Sequence, residues 1–98
     1  MFDNDEVFGR GKVECRAKQA PFITAAQSIT GKITEHALDP VARICVLRNQ
    51  SAFVAASGKT MQSDGVHWQR WADGVIVEER YYRDELMQAR IEAGIFEL

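Results

Sequence analysis

The sequence predicts an α+β domain: a curved antiparallel sheet with helices against it and a pocket on one face. Three observations carry this. First, an Asp73-Gly74 pair separates two runs rich in Val, Ile, Trp and Tyr, Val66–Ala72 and Val75–Asp84. Asp and Gly tolerate the positive φ angles of a two-residue turn, so the stretch reads as a tight β-hairpin. Second, residues 41–56 are apolar on both alternating sets of positions, as in strands covered on both sides. Third, two stretches, one around Pro21 and one after Asp84, have helical spacing or helix boundary signals.

Composition bounds the function. The chain has 98 residues, enough for one domain, residues 1–98, with a small core. Apolar residues make up 46% and charged ones 27%, which excludes a disordered chain. A net charge of −2 without a basic block argues against a nucleic-acid surface. No apolar run is long enough to span a bilayer, and the start MFDNDE is not a signal peptide. Cys15 and Cys45 read as reduced thiols of a cytoplasmic protein. No zinc spacing occurs, and Gly9-Arg10-Gly11 reads as a turn rather than a phosphate loop, so no metal or cofactor is expected.

In chain order, residues 1–6 read as a free polar end and Val7-Phe8 as a brief strand. Ala17 to Thr30 is predicted helical, with Pro21 near the start, an apolar stripe of Phe22, Ile23, Ala26 and Ile29, and Gly31 as the stop. Lys32–Leu38 and Val41–Arg48 are strand-like, with a bulge or bend at Asp39-Pro40. Asn49-Gln50 is read as a two-residue turn, placing Arg48 opposite Ser51 and Val46 opposite Phe53. Gln62–Gly65 is read as a second turn. Asp84 is expected to N-cap a last helix, Glu85–Ala93, stopped by Gly94, and the apolar tail Ile95–Leu98 to dock.

A two-residue turn at Asp73-Gly74 sets a register. Trp68 then faces Glu79, Arg70 faces Val77 and Val66 faces Tyr81, all on one face. The other face carries His67, Gln69, Trp71, Ile76, Glu78, Arg80 and Tyr82. A three-residue turn would instead pair His67 with Glu79.

Cys15-Arg16-Ala17, His36, the Arg48–Ala52 stretch, Asp73-Gly74, Ile76, Tyr82 and Asp84 carry a resemblance. With the order strand, helix, long antiparallel strands, the chain resembles the nuclear transport factor 2-like superfamily, and within it the SnoaL-like polyketide cyclase group. The resemblance spans nearly the whole chain. It implies a cone-shaped α+β barrel, a curved sheet wrapped around helices with a ligand cavity in the cone. Members usually carry one or two helices before the first strand, whereas this chain begins almost at that strand. An N-terminally shortened cone is therefore expected, its cavity open or completed by a second subunit, with elements exchanged between subunits as one route. In related epoxide hydrolases and cyclases the pocket is lined by positions matching Glu79, Tyr81 and Arg83. The acid that does chemistry there matches Tyr81, so that chemistry does not carry over.

The candidate ligand-binding residues are thus Val66, Trp68, Arg70, Val77, Glu79, Tyr81 and Arg83. Glu79 beside Trp68 would lose hydration and approach a useful acid–base pKa, or it pairs with Arg70. Tyr81 can donate to a developing oxyanion, or it is packing. His36 and His67 are acid–base candidates or structural histidines. Trp68 and Trp71 stack a flat ligand or fill a core or interface. Two function classes follow. One is a non-catalytic module binding a small hydrophobic molecule, a homodimer with no nucleic-acid or membrane partner. The other is a small acid–base isomerase, cyclase or hydrolase acting on a hydrophobic carbonyl or ring compound.

Overall fold

The computed structural model describes the backbone of residues 1–98 and the side chains of all but residues 22–26. Its elements are β1 (Phe2–Asp3), β2 (Glu6–Val7), α1 (Gly11–Ala25), β3 (Ala26–Asp39), β4 (Ile44–Ala55), β5 (Thr60–Ala72), β6 (Val75–Arg83) and α2 (Asp84–Glu92). The six strands form one curved, unclosed sheet in the order β2-β1-β6-β5-β4-β3. The expected α+β class is therefore observed, but the sheet is mixed, because β1 pairs with β6 in parallel.

The N-terminus is not a free end. Residues 2–7 form a hairpin whose turn residues Asn4 and Asp5 both take positive φ, 48° and 65°. Asn and Asp are the non-glycine residues best suited to that conformation. Phe2 then pairs with Arg80, and the Arg80 guanidinium lies 4.3 Å from the Phe2 ring centre.

The first helix starts and ends earlier than expected. Lys12–Ala20 contains strong helix formers, while Ser28, Ile29 and Thr30 suit a strand. Pro21 consequently falls inside α1, not at its start. Gln27–Gly31 runs along β4, with Ile29 opposite Phe53. Of the expected apolar stripe, Phe22, Ile23 and Ala26 have side chains outside the described residues.

The turns inside 39–65 also differ from expectation. Asp39-Pro40 is not a bulge within one strand. It opens a hairpin between β3 and β4, with Asp39 opposite Ile44 and its carboxylate accepting from the Val41 and Ala42 N–H groups at 3.0 Å. Asn49-Gln50 and Gln62–Gly65 are not turns. They sit mid-strand opposite one another, Gln50 against Asp64 and Ser51 against Ser63. Arg48 donates to Asp64 at 2.8 and 3.1 Å, and the Ser51 and Ser63 hydroxyls are 2.5 Å apart. The two polar stretches satisfy each other across the ladder, so neither needs a turn. The true β4–β5 connection is Ala56–Lys59, with Gly58 at φ 86°.

The Asp73-Gly74 hairpin forms as expected, with φ of 53° and 77° and Ala72 opposite Val75. Its register then shifts between Trp71 and Arg70. Trp71 pairs with Ile76 but Arg70 pairs with Glu78, leaving Val77 as a bulge. Trp68 therefore faces Arg80, not Glu79. Glu79 faces Gln69, and Tyr81 faces His67.

One face of the sheet is covered by α2 and the chain's C-terminal end. Val46, Val66, Tyr82 and Met87 are buried there, with Ile44, Trp68, Leu86, Ile91, Ile95 and Phe96 packed against them. The helix ends as expected at Gly94, φ 91°, where the Gly94 N–H donates to Ile91 and the Ile95 N–H to Arg90, a Schellman closure. Its start differs: Arg83 occupies the N-cap with no side-chain cap, and the Asp84 carboxylate accepts instead from Arg83.

The opposite face carries Ile29, Ile33, Leu38, Met61, Trp71 and Ile76, all exposed; Leu38 is 66% accessible. The molecule measures 45 × 29 × 22 Å and exposes 6811 Å². A compact monomer of its 11.0 kDa mass exposes about 5,600 Å². The excess, roughly 1,200 Å², follows from two helices being too few for two sheet faces.

The small core sets an expectation. Val46→Ala, at a fully buried position, lowers stability by about 2 kcal/mol and the melting midpoint by roughly 8–16 °C. Val75→Ala, at a position 58% exposed, changes it by less than about 0.5 kcal/mol. Thermal and urea melts of both variants check this.

Candidate functional site

The register shift divides the expected site between two faces. Val66, Trp68 and Arg70 lie on the face covered by α2, in line with Tyr82, Arg80 and Glu78. Glu79, Tyr81 and Arg83 lie on the open face, in line with Gln69, His67 and Gly65. The expected Trp68–Glu79–Tyr81 cluster does not assemble, because the bulge at Val77 moves every later β6 residue by one position. Arg70 is 3.6 Å from Glu78 and is not the partner of Glu79.

What the open face does assemble is a row across four strands. His36 is opposite Leu47, Leu47 opposite His67, and His67 opposite Tyr81. The His67 and Tyr81 rings are 4.8 Å apart between centres, tilted by 51°. Tyr81 reaches this place by lying over Gly65, where a Cβ would collide with its ring. Burial pushes the His67 imidazole below its ordinary pKa of 6.5, partly opposed by the Glu79 charge. Burial also raises Tyr81, and the negative Asp3 adds to this. Both groups are thus held neutral near pH 7. Arg83 is engaged elsewhere, donating to Asp3 at 3.2 Å and to Asp84 at 3.1 Å.

Beside this row is an open cleft of about 540 Å³. One wall is the end of the β5–β6 hairpin: Trp71, Val75, Ile76, Val77 and Glu79. The other is α1, through Lys12, Cys15, Arg16 and Gln19, with Gly11 and Met1 at its rim. Gln69 ties the hairpin wall together. Its amide donates to Glu79 at 2.9 Å, and its carbonyl accepts from the Trp71 indole at 3.3 Å. Of the expected ligand-binding residues, Val77 and Glu79 border this cleft. Tyr81 and Arg83 border a separate depression near Asp84 and Met87. The α1 residues carry no cleft signal in a helix expected to begin at Ala17, whereas α1 begins at Gly11. Their spacing, Lys12, Arg16, Gln19, marks one helix face once the helix begins at Gly11. Among the described residues no group of three His, Cys, Asp or Glu side chains has a metal-holding arrangement, and no helix is long and apolar enough to cross a membrane.

Solved structures of other proteins share this architecture. TerC, co-crystallized with polyporic acid, superposes with a TM-score of 0.63 at 15% identity, over 88% of this chain and 65% of TerC. An NTF2-like protein of unknown function from Exiguobacterium sp. 255-15 gives 0.60 at 22% identity, over 81% of this chain and 70% of that protein. A SnoaL-like polyketide cyclase from Jannaschia sp. CCS1, itself assigned as putative, gives 0.55 at 16% identity, over 86% of this chain and 66% of that protein. No protein-family model matches the sequence, and no curated protein matches it. The chain has the nuclear transport factor 2-like fold, and spans about two thirds of the length of these proteins.

Two outcomes test this geometry. Gly65→Ala displaces the Tyr81 ring and lowers stability by about 1–3 kcal/mol. Adding Tyr81→Ala removes the clash, so a double-mutant cycle shows coupling between the two positions. The second concerns pH. His67 has a folded pKa below its unfolded value, so the unfolded chain binds more protons as the pH falls through about 6.5. Stability is therefore lost on acidification in that window and regained above it. His67→Gln flattens this part of the profile in urea titrations between about pH 8 and pH 5. Asp64 and Glu78, lowered chiefly by hydrogen bonds from Arg48 and Arg80, act only below the ordinary carboxylate range and leave this window clear.

Proposed function

We propose that the chain is a non-catalytic domain that binds a small, mainly apolar ring compound in the α1–hairpin cleft. The observation that carries this is the cleft: a concave site with one apolar wall of Trp71, Ile76 and Val77, where Glu79, held by a hydrogen bond from Gln69, is an oriented polar group. Apolar walls with few fixed polar groups are the usual make-up of a small-molecule site. TerC, with the same fold, was crystallized with polyporic acid. The remaining wall comes from a second copy of the chain. The exposed apolar side chains of the open face and the surface excess of roughly 1,200 Å² support this, since a standard interface buries about 800 Å² per partner. Unpaired Cys15 and Cys45 fit a reducing, cytoplasmic setting.

A second reading has its own support. His67 against Tyr81, with Glu79 on the same face, provides the groups of a small acid–base enzyme acting on a carbonyl or ring compound. His36 lies on the same row, beyond Leu47. Under this reading Tyr81→Phe and Glu79→Gln abolish turnover while ligand binding persists.

Thermal melts with a panel of planar aromatic and carbonyl compounds test the binding reading. A ligand-dependent rise that Trp71→Ala removes is the expected outcome; no shift with any compound refutes it. Light scattering at tens of micromolar is expected to return twice the 11.0 kDa chain mass, and a monomer mass would remove the second-copy wall.

A further inference from the structure

We infer that the cleft selects anionic ring compounds, holding a carboxylate, sulfonate or phenolate on Lys12 and Arg16 while the ring lies on Trp71, Ile76 and Val77. The inference rests on the cleft being the binding site proposed above.

The charge pattern of the cleft is the argument. Lys12 and Arg16 stand one helical turn apart on the α1 wall, facing an apolar hairpin wall. Among the described residues, neither takes part in an ion pair. Their neighbour Lys18 sits 3.8 Å from Glu14, and on the hairpin Arg70, Arg80 and Arg83 all have carboxylate partners. The carboxylate bordering the cleft, Glu79, is held by Gln69 on the opposite wall. Two unpaired cations thus meet one carboxylate in a protein of net charge −2. A basic stripe turned toward Trp71, Ile76 and Val77 leaves both walls without a matching partner. A ligand with an apolar ring and one negative group matches both. Arg16 suits this role, since a guanidinium can grip a carboxylate or sulfonate with two parallel hydrogen bonds. The first turn of α1, beginning at Gly11, adds a partial positive charge to the same end of the cleft. The Trp71 indole, 37% exposed and oriented by its bond to Gln69, offers the ring face.

Two fluorescent probes with one scaffold separate charge from shape: 1-anilinonaphthalene-8-sulfonate, which is anionic, and N-phenyl-1-naphthylamine, which lacks the sulfonate. The 98-residue protein is titrated with each, at low and high salt. Wild type is expected to bind the sulfonate at least about tenfold more tightly, and that preference shrinks as salt rises. Lys12→Gln with Arg16→Gln abolishes the preference, the sulfonate probe losing far more affinity than the neutral one. Both positions are exposed, and far-ultraviolet circular dichroism confirms that the variant keeps its fold. Trp71→Ala weakens both probes. Equal binding of the two probes, or a preference that survives the double substitution, overturns the anion inference while the binding reading stands. Binding of neither probe, or binding indifferent to Trp71→Ala, overturns the binding reading and the inference with it.

Discussion

The arrangement of both faces of this sheet depends on one unpaired residue. Val77 sits between the Trp71–Ile76 and Arg70–Glu78 pairs, and the ladder advances by one position around it. Side chains alternate across a strand, so a one-residue step exchanges faces for all that follows. With the bulge, Tyr82 faces the core and buries its ring beside Val46 and Val66, while Tyr81 joins His67 on the open side. Without it, Tyr81 would lie in line with Val66 and the phenol now packed over Gly65 would be directed at α2. The Asp73-Gly74 turn starts the hairpin; the bulge decides which chemistry each face receives.

That division marks how far the sequence is legible. The Asp-Gly turn is a local signal with a conformational cause, and it stands in the structure at the expected residues. So do the final helix and its Gly94 stop, which rest on backbone geometry available only to a few residue types. The bulge has no such mark, because Val77 is as good a strand residue as its neighbours. The two polar stretches at 49–51 and 62–65 misled for a different reason. Their polarity is satisfied by each other, through Arg48–Asp64 and Ser51–Ser63, across a pairing that neither stretch reveals alone. The α1 wall of the cleft was hidden by a boundary error: Ser28–Thr30 belongs to a strand once Phe53 lies opposite Ile29. Of the candidate site, Glu79 and Val77 were legible as cleft residues; Lys12, Arg16 and Gln19 were not.

The fold likeness and the physical reading meet on the same point. Four long strands and two helices make a sheet whose covered side buries Val46, Val66 and Tyr82 against Met87 of α2 and whose other side displays a row of aliphatic and aromatic groups. Charges on the sheet are mostly matched in place, as with Arg48 and Asp64 or Arg80 and Glu78. Pairs that remain partly open to solvent add little to stability, so the fold leans on the small cluster around Val46 and Val66. Beside the apolar end of the hairpin, Lys12 and Arg16 of α1 line the cleft without such a match among the described residues.

The parallel pairing of β1 with β6 bears on how the chain assembles. Strands β3 to β6 each pair with the next in sequence, so they can zip progressively from short turns. The first strand pairs locally only with β2, and its place in the sheet is set by β6. Phe2 must find Arg80, and Asp5 must find Arg90, across nearly the whole chain. Bringing ends so distant together costs on the order of 4 kcal/mol in chain entropy. The N-terminal hairpin therefore docks last and leaves first. Because α1 follows it directly, the cleft depends on that docking: a chain whose N-terminal hairpin has come away keeps the β5–β6 wall but not the placement of the wall that bears Lys12 and Arg16.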